Sequence, residues 1–275
     1  MSYQDIKRDS LAIASPLKSP LKSPLKAAAV ACGVFLSLGT AHAANDCVGL
    51  PDNTTLKSAL IAVVGNNGGF NLPMWATVVN QYGVVCAVAS SGAIGDAWLN
   101  SRAISAQKAN TANGFSLPGL AIATANLFTA VQPGGSLYGL QHSNPVDPRV
   151  VYRGDATKYG TANDPMVGLK PGGINVFGGG LALYSAKTTK IGAVGVSGDS
   201  SCADHNIAWK LRAGLAANTA LSIINGVPSG LAPAVVGSTG NNSSDNAIYD
   251  PANGFAHAAC SADGTHIVAL PALTE

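Results

Sequence analysis

Three residues able to bind a ligand recur at helical spacing between residues 201 and 216. His205, Trp209 and Arg212 stand at i, i+4 and i+7, so a helix would present all three on one face. An imidazole can ligate a metal ion, an indole can stack on a flat ring, and a guanidinium can hold a carboxylate. The opposite face is apolar and is expected to pack on the core. The alternative is a satisfied surface or interface histidine.

His257 is a second candidate ligand, and it lies three residues before Cys260. A disulfide between Cys202 and Cys260 would bring His257 close to His205. The two imidazoles would then form a two-histidine site that could hold a metal ion or a metal-containing cofactor.

Two further groups suit an anionic ligand. Lys108 and Thr111 lie about one helical turn apart and could present an ammonium and a hydroxyl to a carboxylate. Ser197 and Gly198 precede a predicted helix start, where free backbone N–H groups favour anions. The plainer alternatives are a surface lysine, a threonine packed on the sheet, and an Asp204 that only caps the helix.

Several catalytic motifs are missing from the sequence. Glutamate occurs once, as Glu275, so there is no HExxH zinc-protease motif. No C-x-x-C redox motif and no phosphate-binding loop occur. The sequence around Ser197 is V-S-G-D and departs from the G-x-S-x-G of hydrolases. The sequence therefore shows no nucleophile–base pair.

The first 43 residues have the features of a secretory signal peptide. Five basic residues precede the apolar run Ala27–Gly39, and Ala41-His42-Ala43 is a small-x-small cleavage site. The run of 13 residues is too short to span a bilayer. A lipoprotein site at Cys32 is the weaker alternative. We expect cleavage after Ala43 and a periplasmic or secreted protein.

Four cysteines remain after this cleavage: Cys47, Cys86, Cys202 and Cys260. An even number of cysteines in an exported chain favours disulfides. Of three possible pairings, we favour Cys47–Cys86 with Cys202–Cys260, because each bond would tie a terminal segment to the core. Four buried thiols are the alternative.

Charge is sparse in this chain. Residues 44–275 hold 11 basic and 12 acidic side chains, so their net charge is −1. Such a balance cannot neutralise many phosphates, which argues against nucleic-acid binding. The same residues contain no further apolar stretch long enough to span a membrane. Sparse charge also predicts apolar surface where subunits pack or a flat apolar ring docks.

Hydrophobic periodicity predicts a helix, two strands, two helices, two strands and a final helix. The predicted segments are Thr55–Val64, Met74–Asn80, Val84–Ser90, Trp98–Phe115, Leu120–Val131, Ile174–Tyr184, Lys190–Val196 and Ser201–Ala216. This order indicates an α/β sandwich on an antiparallel or mixed sheet. Ser201 is the expected cap of the last helix. A long polar loop covers about residues 132–172, and a loop-rich tail covers about residues 228–275.

Three segments carry a resemblance to a known family. They are Ser105–Ala112 (SAQKANTA), Gly172–Val176 (GGINV) and Gly192–Gly198 (GAVGVSG), the last followed by Asp204. In this order they resemble the GlcG/HbpS-like family of haem-binding and haem-degrading proteins, over about residues 55–217. The resemblance implies a profilin-like α/β (α+β) fold with a central antiparallel sheet flanked by helices. It also implies homo-oligomers and, in some members, haem or related tetrapyrrole binding.

Together, the expected signal peptide and the resemblance suggest an exported haem-binding protein formed by a single domain over residues 44–275. His205 and His257 are then candidate iron ligands, Trp209 a stacking partner and Arg212 a propionate partner. A haem-degrading or other small-molecule-transforming enzyme is one alternative, and an oligomeric structural protein without a ligand is another. The insertion at 132–172 and the tail depart from the short family pattern. Either could cover a ligand site or replace an oligomer contact.

Overall fold

A four-stranded antiparallel sheet forms the centre of the fold in the computed structural model, which describes residues 47–240, 243–250 and 252–274. The strands are Trp75–Asn80 (β1), Val85–Ser90 (β2), Gly180–Ala186 (β3) and Thr189–Ser197 (β4). They lie in the order β2-β1-β4-β3, so two hairpins stand side by side with β1 and β4 in the middle. The predicted antiparallel α/β sandwich is confirmed. The expected signal peptide, residues 1–43, lies outside the described residues.

Helices cover both faces of this sheet. Asn53–Ile61 (α1) and Ser201–Ala216 (α5) pack on one face, and Asn100–Phe115 (α2) packs on the other. Successive side chains of β1 point to opposite faces of the sheet, so Ala76 faces α1 and α5 while Trp75 faces α2. No helix within the described ranges is long and apolar enough to cross a membrane.

Small residues bring α2 close to the sheet. Its sheet-facing side is built from alanines, and Gly195 of β4 lies beneath it. A Cβ atom at Gly195 would stand 2.0 Å from the backbone oxygen of Ser105, so only glycine permits this approach. The segments GAVGVSG and SAQKANTA therefore meet across one tightly packed interface.

The predicted helix Leu120–Val131 is wrong. This stretch forms two 3₁₀ turns, Thr124–Leu127 and Thr129–Val131. The Thr124 hydroxyl donates to the carbonyl of Phe177 at 2.6 Å and accepts from the backbone N–H of Gly180 at 2.9 Å. Such bonds to distant backbone replace the regular i to i+4 pattern of an α-helix.

Two other expected boundaries are also corrected. β3 begins at Gly180 and not at Ile174, because Gly179 takes a positive φ of 113° and turns the chain into the sheet. The cap of α5 is Ser200 and not Ser201, since its hydroxyl accepts from the Ala203 backbone N–H at 3.3 Å.

The segment 132–172 folds onto α2 and the edge of β2. It contains the short helices Leu140–Ser143 (α3) and Pro148–Val151 (α4). Gly168 and Leu169 exchange backbone hydrogen bonds with Val85, which covers the outer edge of β2. The segment expected to be a long polar loop thus covers α2 and the edge of β2, and it buries apolar side chains of its own.

The chain after α5 wraps around that helix with little regular structure. Its only regular pairing among the described residues is Ala232–Pro233 (β5) with Ser243–Ser244 (β6). The structure holds the disulfides Cys47–Cys86 and Cys202–Cys260, the pairing favoured from the sequence. The second disulfide fixes the tail to the first turn of α5.

Candidate functional site

A pocket of about 260 Å³ opens between the start of α2 and the start of α5. Trp98 and Phe177 form its rim and are 55% and 46% exposed, while Ile104 lines the wall. The pocket thus combines an apolar wall with a polar floor. The remaining lining residues are Ser101, Ser197, Asp199, Ser201 and Asp204.

The two carboxylates of the pocket floor already accept hydrogen bonds from other groups of the protein. Asp199 accepts the backbone N–H groups of Phe70 at 2.8 Å and Leu72 at 3.2 Å. Asp204 accepts Lys108 Nζ at 2.6 Å and the backbone N–H of Asp199 at 2.9 Å. These bonds hold the turn between β4 and α5 in place, and they leave the floor rigid.

Lys108 and Asp204 form a buried ion pair that joins α2 to α5. Lys108 also donates to the carbonyl oxygen of Val196 at 3.0 Å. Burial raises the pKa of the Asp204 carboxyl to about 6, against the opposing effect of the Lys108 ammonium. Asp204 is therefore ionised at neutral pH, and it binds Lys108 instead of acting as a simple helix cap.

Ser201 and His257 meet beside this pocket. The Ser201 hydroxyl lies 2.7 Å from His257 Nε2, and His257 Nδ1 lies 2.6 Å from the carbonyl oxygen of Ala258. A carbonyl can only accept, so Nδ1 carries the proton and Nε2 accepts from Ser201. The backbone N–H of Gly178 donates to the same hydroxyl at 2.6 Å.

The environment of His257 keeps its imidazole neutral. The ring is buried and packs against Phe128, with ring centroids 4.8 Å apart. Burial lowers the pKa of His257 below its usual value. Because Ser201 and His257 lie 56 positions apart in the chain, no local sequence motif predicts the pair. The Cys202–Cys260 spacing was the one sequence signal that could have found it.

The structure encloses the helix face that carries His205, Trp209 and Arg212. All three side chains are fully buried beneath the tail. Trp209 Nε1 donates to the carbonyl of Pro271 at 2.9 Å, and Arg212 pairs with Asp245. The helix face that carries these three residues is therefore not exposed to a ligand from solvent.

His205 lies in the interior, away from solvent. Its Nε2 atom is 3.0 Å from Asn246 Oδ1 and accepts the backbone N–H of Ala247 at 3.1 Å. Burial lowers the pKa of His205 to about 4, so its ring is neutral. The structure brings His257 to Ser201, and the His257 ring is near enough to His205 to lower the pKa of His205 further.

The other predicted anion-binding residues divide between the pocket and the core. Thr111 donates to the carbonyl of Gln107 at 2.7 Å and accepts the N–H of Asn175 at 2.9 Å. Neither Thr111 nor Lys108 lines the pocket, whereas Ser197 does. Gly198 takes a φ of 153° where the chain passes close to Pro73.

One group of potential metal ligands occurs among the described residues. Ligand atoms of Cys202, His257 and Cys260 lie within 4.8 Å of one another. Both sulfur atoms belong to one disulfide, so they offer no thiolate while that bond is intact. A zinc-type site is therefore not formed by these residues in this structure.

Comparison with known proteins places these features in a family. No curated protein matches the chain. A heme complex of PduOC is 25% identical, with a TM-score of 0.41 over 58% of this chain and 89% of its own. Protein ORFY of Klebsiella pneumoniae is 25% identical, with a TM-score of 0.40 over 60% of this chain and 88% of its own.

A structure of HbpS is 17% identical, with a TM-score of 0.39 over 61% of this chain and 86% of its own. The model of the family described as haem degrading protein HbpS-like matches residues 52–213. These residues run from the cap of α1 into the last turns of α5, and they include the whole sheet. The chain belongs to the HbpS-like family of haem degrading proteins.

Proposed function

We propose that this protein binds haem, or a related tetrapyrrole, at the pocket between α2 and α5. Membership of the HbpS-like family supports a haem ligand. The observation that carries the location is the pair of half-exposed rings, Trp98 and Phe177, on a pocket whose lining residue Ser201 is bonded to the buried imidazole of His257. Aromatic faces of this kind stack on a porphyrin, and a neutral imidazole is a common ligand of haem iron.

The residues that line the pocket fit the apolar part of a tetrapyrrole. A pocket of about 260 Å³ takes one edge of a macrocycle, and the rims formed by Trp98 and Phe177 offer contact to the remainder. No lysine or arginine is among the residues that line the pocket, so the propionates would face solvent. When bound, haem would supply redox-active iron, which His257 would hold.

His257 would have to exchange its Ser201 bond for iron, because Nε2 holds that hydroxyl at 2.7 Å. The proposal leaves out His205, whose ring is enclosed by the tail. Lys108 then supports the pocket floor through Asp204, whereas Thr111, Trp209 and Arg212 are bonded elsewhere within the fold. Hydrogen bonds inside the protein offset the desolvation of their buried polar groups.

Hemin titration tests this proposal. We expect a saturable Soret shift, with affinity about tenfold lower in Trp98→Ala, since one stacking face is lost. Tyr138→Ala is the matched control, because Tyr138 is 63% exposed and does not line the pocket. An unchanged spectrum in His257→Ala would remove His257 as the iron ligand. Absence of saturable binding would refute the function.

Export and self-association are part of the same proposal. Two disulfides suit an oxidising compartment, which agrees with the expected signal peptide. Large apolar side chains such as Phe70 and Val236 are 70% and 95% exposed, as expected of surfaces that meet a second copy. Light scattering on the purified protein tests for a homo-oligomer, and N-terminal sequencing of the exported protein tests for cleavage after Ala43.

A further inference from the structure

The contact between Ser201 and His257 has the geometry of a nucleophile and its base. The two groups are 2.7 Å apart, and His257 Nδ1 is fixed by the Ala258 carbonyl at 2.6 Å. In this position the carbonyl takes the orienting role that a carboxylate plays in a catalytic triad. Catalysis also requires a space in which a substrate can reach the hydroxyl.

The pocket provides that space, since Ser201 is partly exposed and lines it. We propose that Ser201 is a catalytic nucleophile, with His257 as its general base, in the hydrolysis of small uncharged esters. The proposal concerns the haem-free protein, since haem would occupy the same pocket, and it does not depend on haem binding.

The helix end and one backbone donor favour the reactive form of Ser201. Its hydroxyl lies in the first turn of α5, a helix of 16 residues whose positive end stabilises negative charge. The backbone N–H of Gly178 donates to the same oxygen at 2.6 Å. Both features stabilise charge on the oxygen as its proton passes to His257.

The lining of the pocket selects the class of substrate. Trp98, Ile104 and Phe177 form an apolar wall, and the volume of about 260 Å³ suits a short acyl group. The floor carries the carboxylates of Asp199 and Asp204 without a lysine or arginine in the lining. An anionic substrate would be repelled there, so the expected substrate is an uncharged ester with a short apolar acyl chain.

The reaction needs only water as its second substrate. Ser201 Oγ bonds to the carbonyl carbon while its proton passes to His257 Nε2. The bond from that carbon to the alcohol oxygen then breaks, and the alcohol leaves with the proton from His257. Water next adds to the acyl group on Ser201 and gives a proton to His257. The bond to Ser201 Oγ breaks, a carboxylic acid leaves, and Ser201 recovers its proton.

A second serine–histidine contact provides a matched control. Ser261 Oγ lies 2.7 Å from His266 Nδ1, the same separation as in the proposed pair. Neither Ser261 nor His266 lines the pocket. The control therefore compares Ser261, whose hydroxyl is only hydrogen-bonded to an imidazole, with Ser201, which also lines the pocket.

The test uses a fluorophosphonate probe on the purified full chain, followed by mapping of the labelled peptide. We expect label on Ser201, and none on Ser197 or Ser261. Hydrolysis of p-nitrophenyl butyrate should fall at least 100-fold in Ser201→Ala and His257→Ala, and it should be unchanged in Ser261→Ala.

Label elsewhere, or hydrolysis that persists in Ser201→Ala, would overturn the assignment. Mapping is done on the unaltered protein, so it decides the question even if a variant fails to fold. Hemin titration of the same sample reports separately on haem binding, so the two proposals fail independently.

Discussion

Arg212 of α5 and Asp245 of the tail form a bidentate ion pair inside the protein. Arg212 Nη1 donates to Asp245 Oδ2 at 2.6 Å, and Nη2 donates to Oδ1 at 2.8 Å. Both side chains are fully buried, and the guanidinium also lies over the Trp209 ring at 4.7 Å from its centroid. This contact explains how a charged helix face comes to lie in the interior.

Removal of the Asp245 carboxylate should strongly destabilise the protein. In Asp245→Ala the guanidinium stays buried without a counter-charge, which typically costs about 3–5 kcal/mol. Urea unfolding followed by circular dichroism measures the loss. Arg149→Ala is the control, because Arg149 pairs with Asp147 at 3.0 Å on the surface and its side chain is 89% exposed. An Asp245→Ala midpoint equal to that of Arg149→Ala would contradict the buried pair.

The two disulfides should stabilise the fold to a similar degree but differ in their effect on Ser201. They join residues 39 and 58 positions apart, and loop closure predicts about 4 kcal/mol for each. Replacing Cys202 and Cys260 by serine should also release His257 and abolish fluorophosphonate labelling. Replacing Cys47 and Cys86 should lower stability alone. Equal labelling in both double variants would show that the second disulfide does not position His257.

Stability should fall in acid because His205 must stay neutral. Its pKa is lowered from 6.5 to about 4 by burial, with Asp245 opposing this shift and Arg212 and His257 adding to it. The unfolded chain therefore takes up a proton near pH 6.5 and the folded chain only near pH 4. The His205 contribution to stability is complete above pH 6.5 and decreases as the pH falls through this window. The loss amounts to about 3 kcal/mol by pH 4.

The variant His205→Gln isolates this contribution from that of Asp204. The raised pKa of Asp204 acts in the opposite direction, because the folded chain then binds its proton first as the pH falls. From pH 7 to pH 4.5 the unfolding free energy should fall further in the unaltered protein than in His205→Gln, because the variant lacks the acid-dependent loss that His205 causes. The same difference in both proteins would show that His205 does not titrate as expected.

Two glycines should respond in opposite ways to alanine. Gly195→Ala places a Cβ atom 2.0 Å from the Ser105 oxygen and 2.5 Å from the Ala109 nitrogen, so α2 must move away from the sheet. Gly214 is an exposed helix residue with no atom within 4 Å of such a Cβ. Gly214→Ala should gain up to about 1 kcal/mol from helix propensity. Thermal unfolding compares the two, and a neutral Gly195→Ala would contradict the close approach.

Local patterns predicted the sheet well. The hairpin of β1 and β2 follows from two β-rich runs around Gly83, which has a positive φ of 78°. The two disulfides were predicted correctly because each links a terminal segment to the core. The helix predicted at Leu120–Val131 failed because bonds from Thr124 to distant backbone outweigh local propensity.

The candidate site was less accessible to prediction. Helical spacing shows that His205 and Arg212 share a face, but it does not reveal what covers that face. Asp245, which makes burial of Arg212 possible, comes from a tail with no regular pattern. The pairing of Ser201 with His257 likewise depends on tertiary structure, since neither residue has a motif around it.

Arg212 is among the last residues of the family match, which ends at 213, while the Asp245 that neutralises it lies beyond. Arg102 of α2 is likewise neutralised by Asp164, from the segment 132–172. A fragment trimmed to the matched residues would lose both the Asp245 carboxylate and the tail that encloses Arg212. A chimaera that lacks the insertion would likewise take Asp164 away from Arg102. A shortened form of this protein that folds on its own must therefore keep both buried ion pairs. Each arginine must be transplanted together with its aspartate.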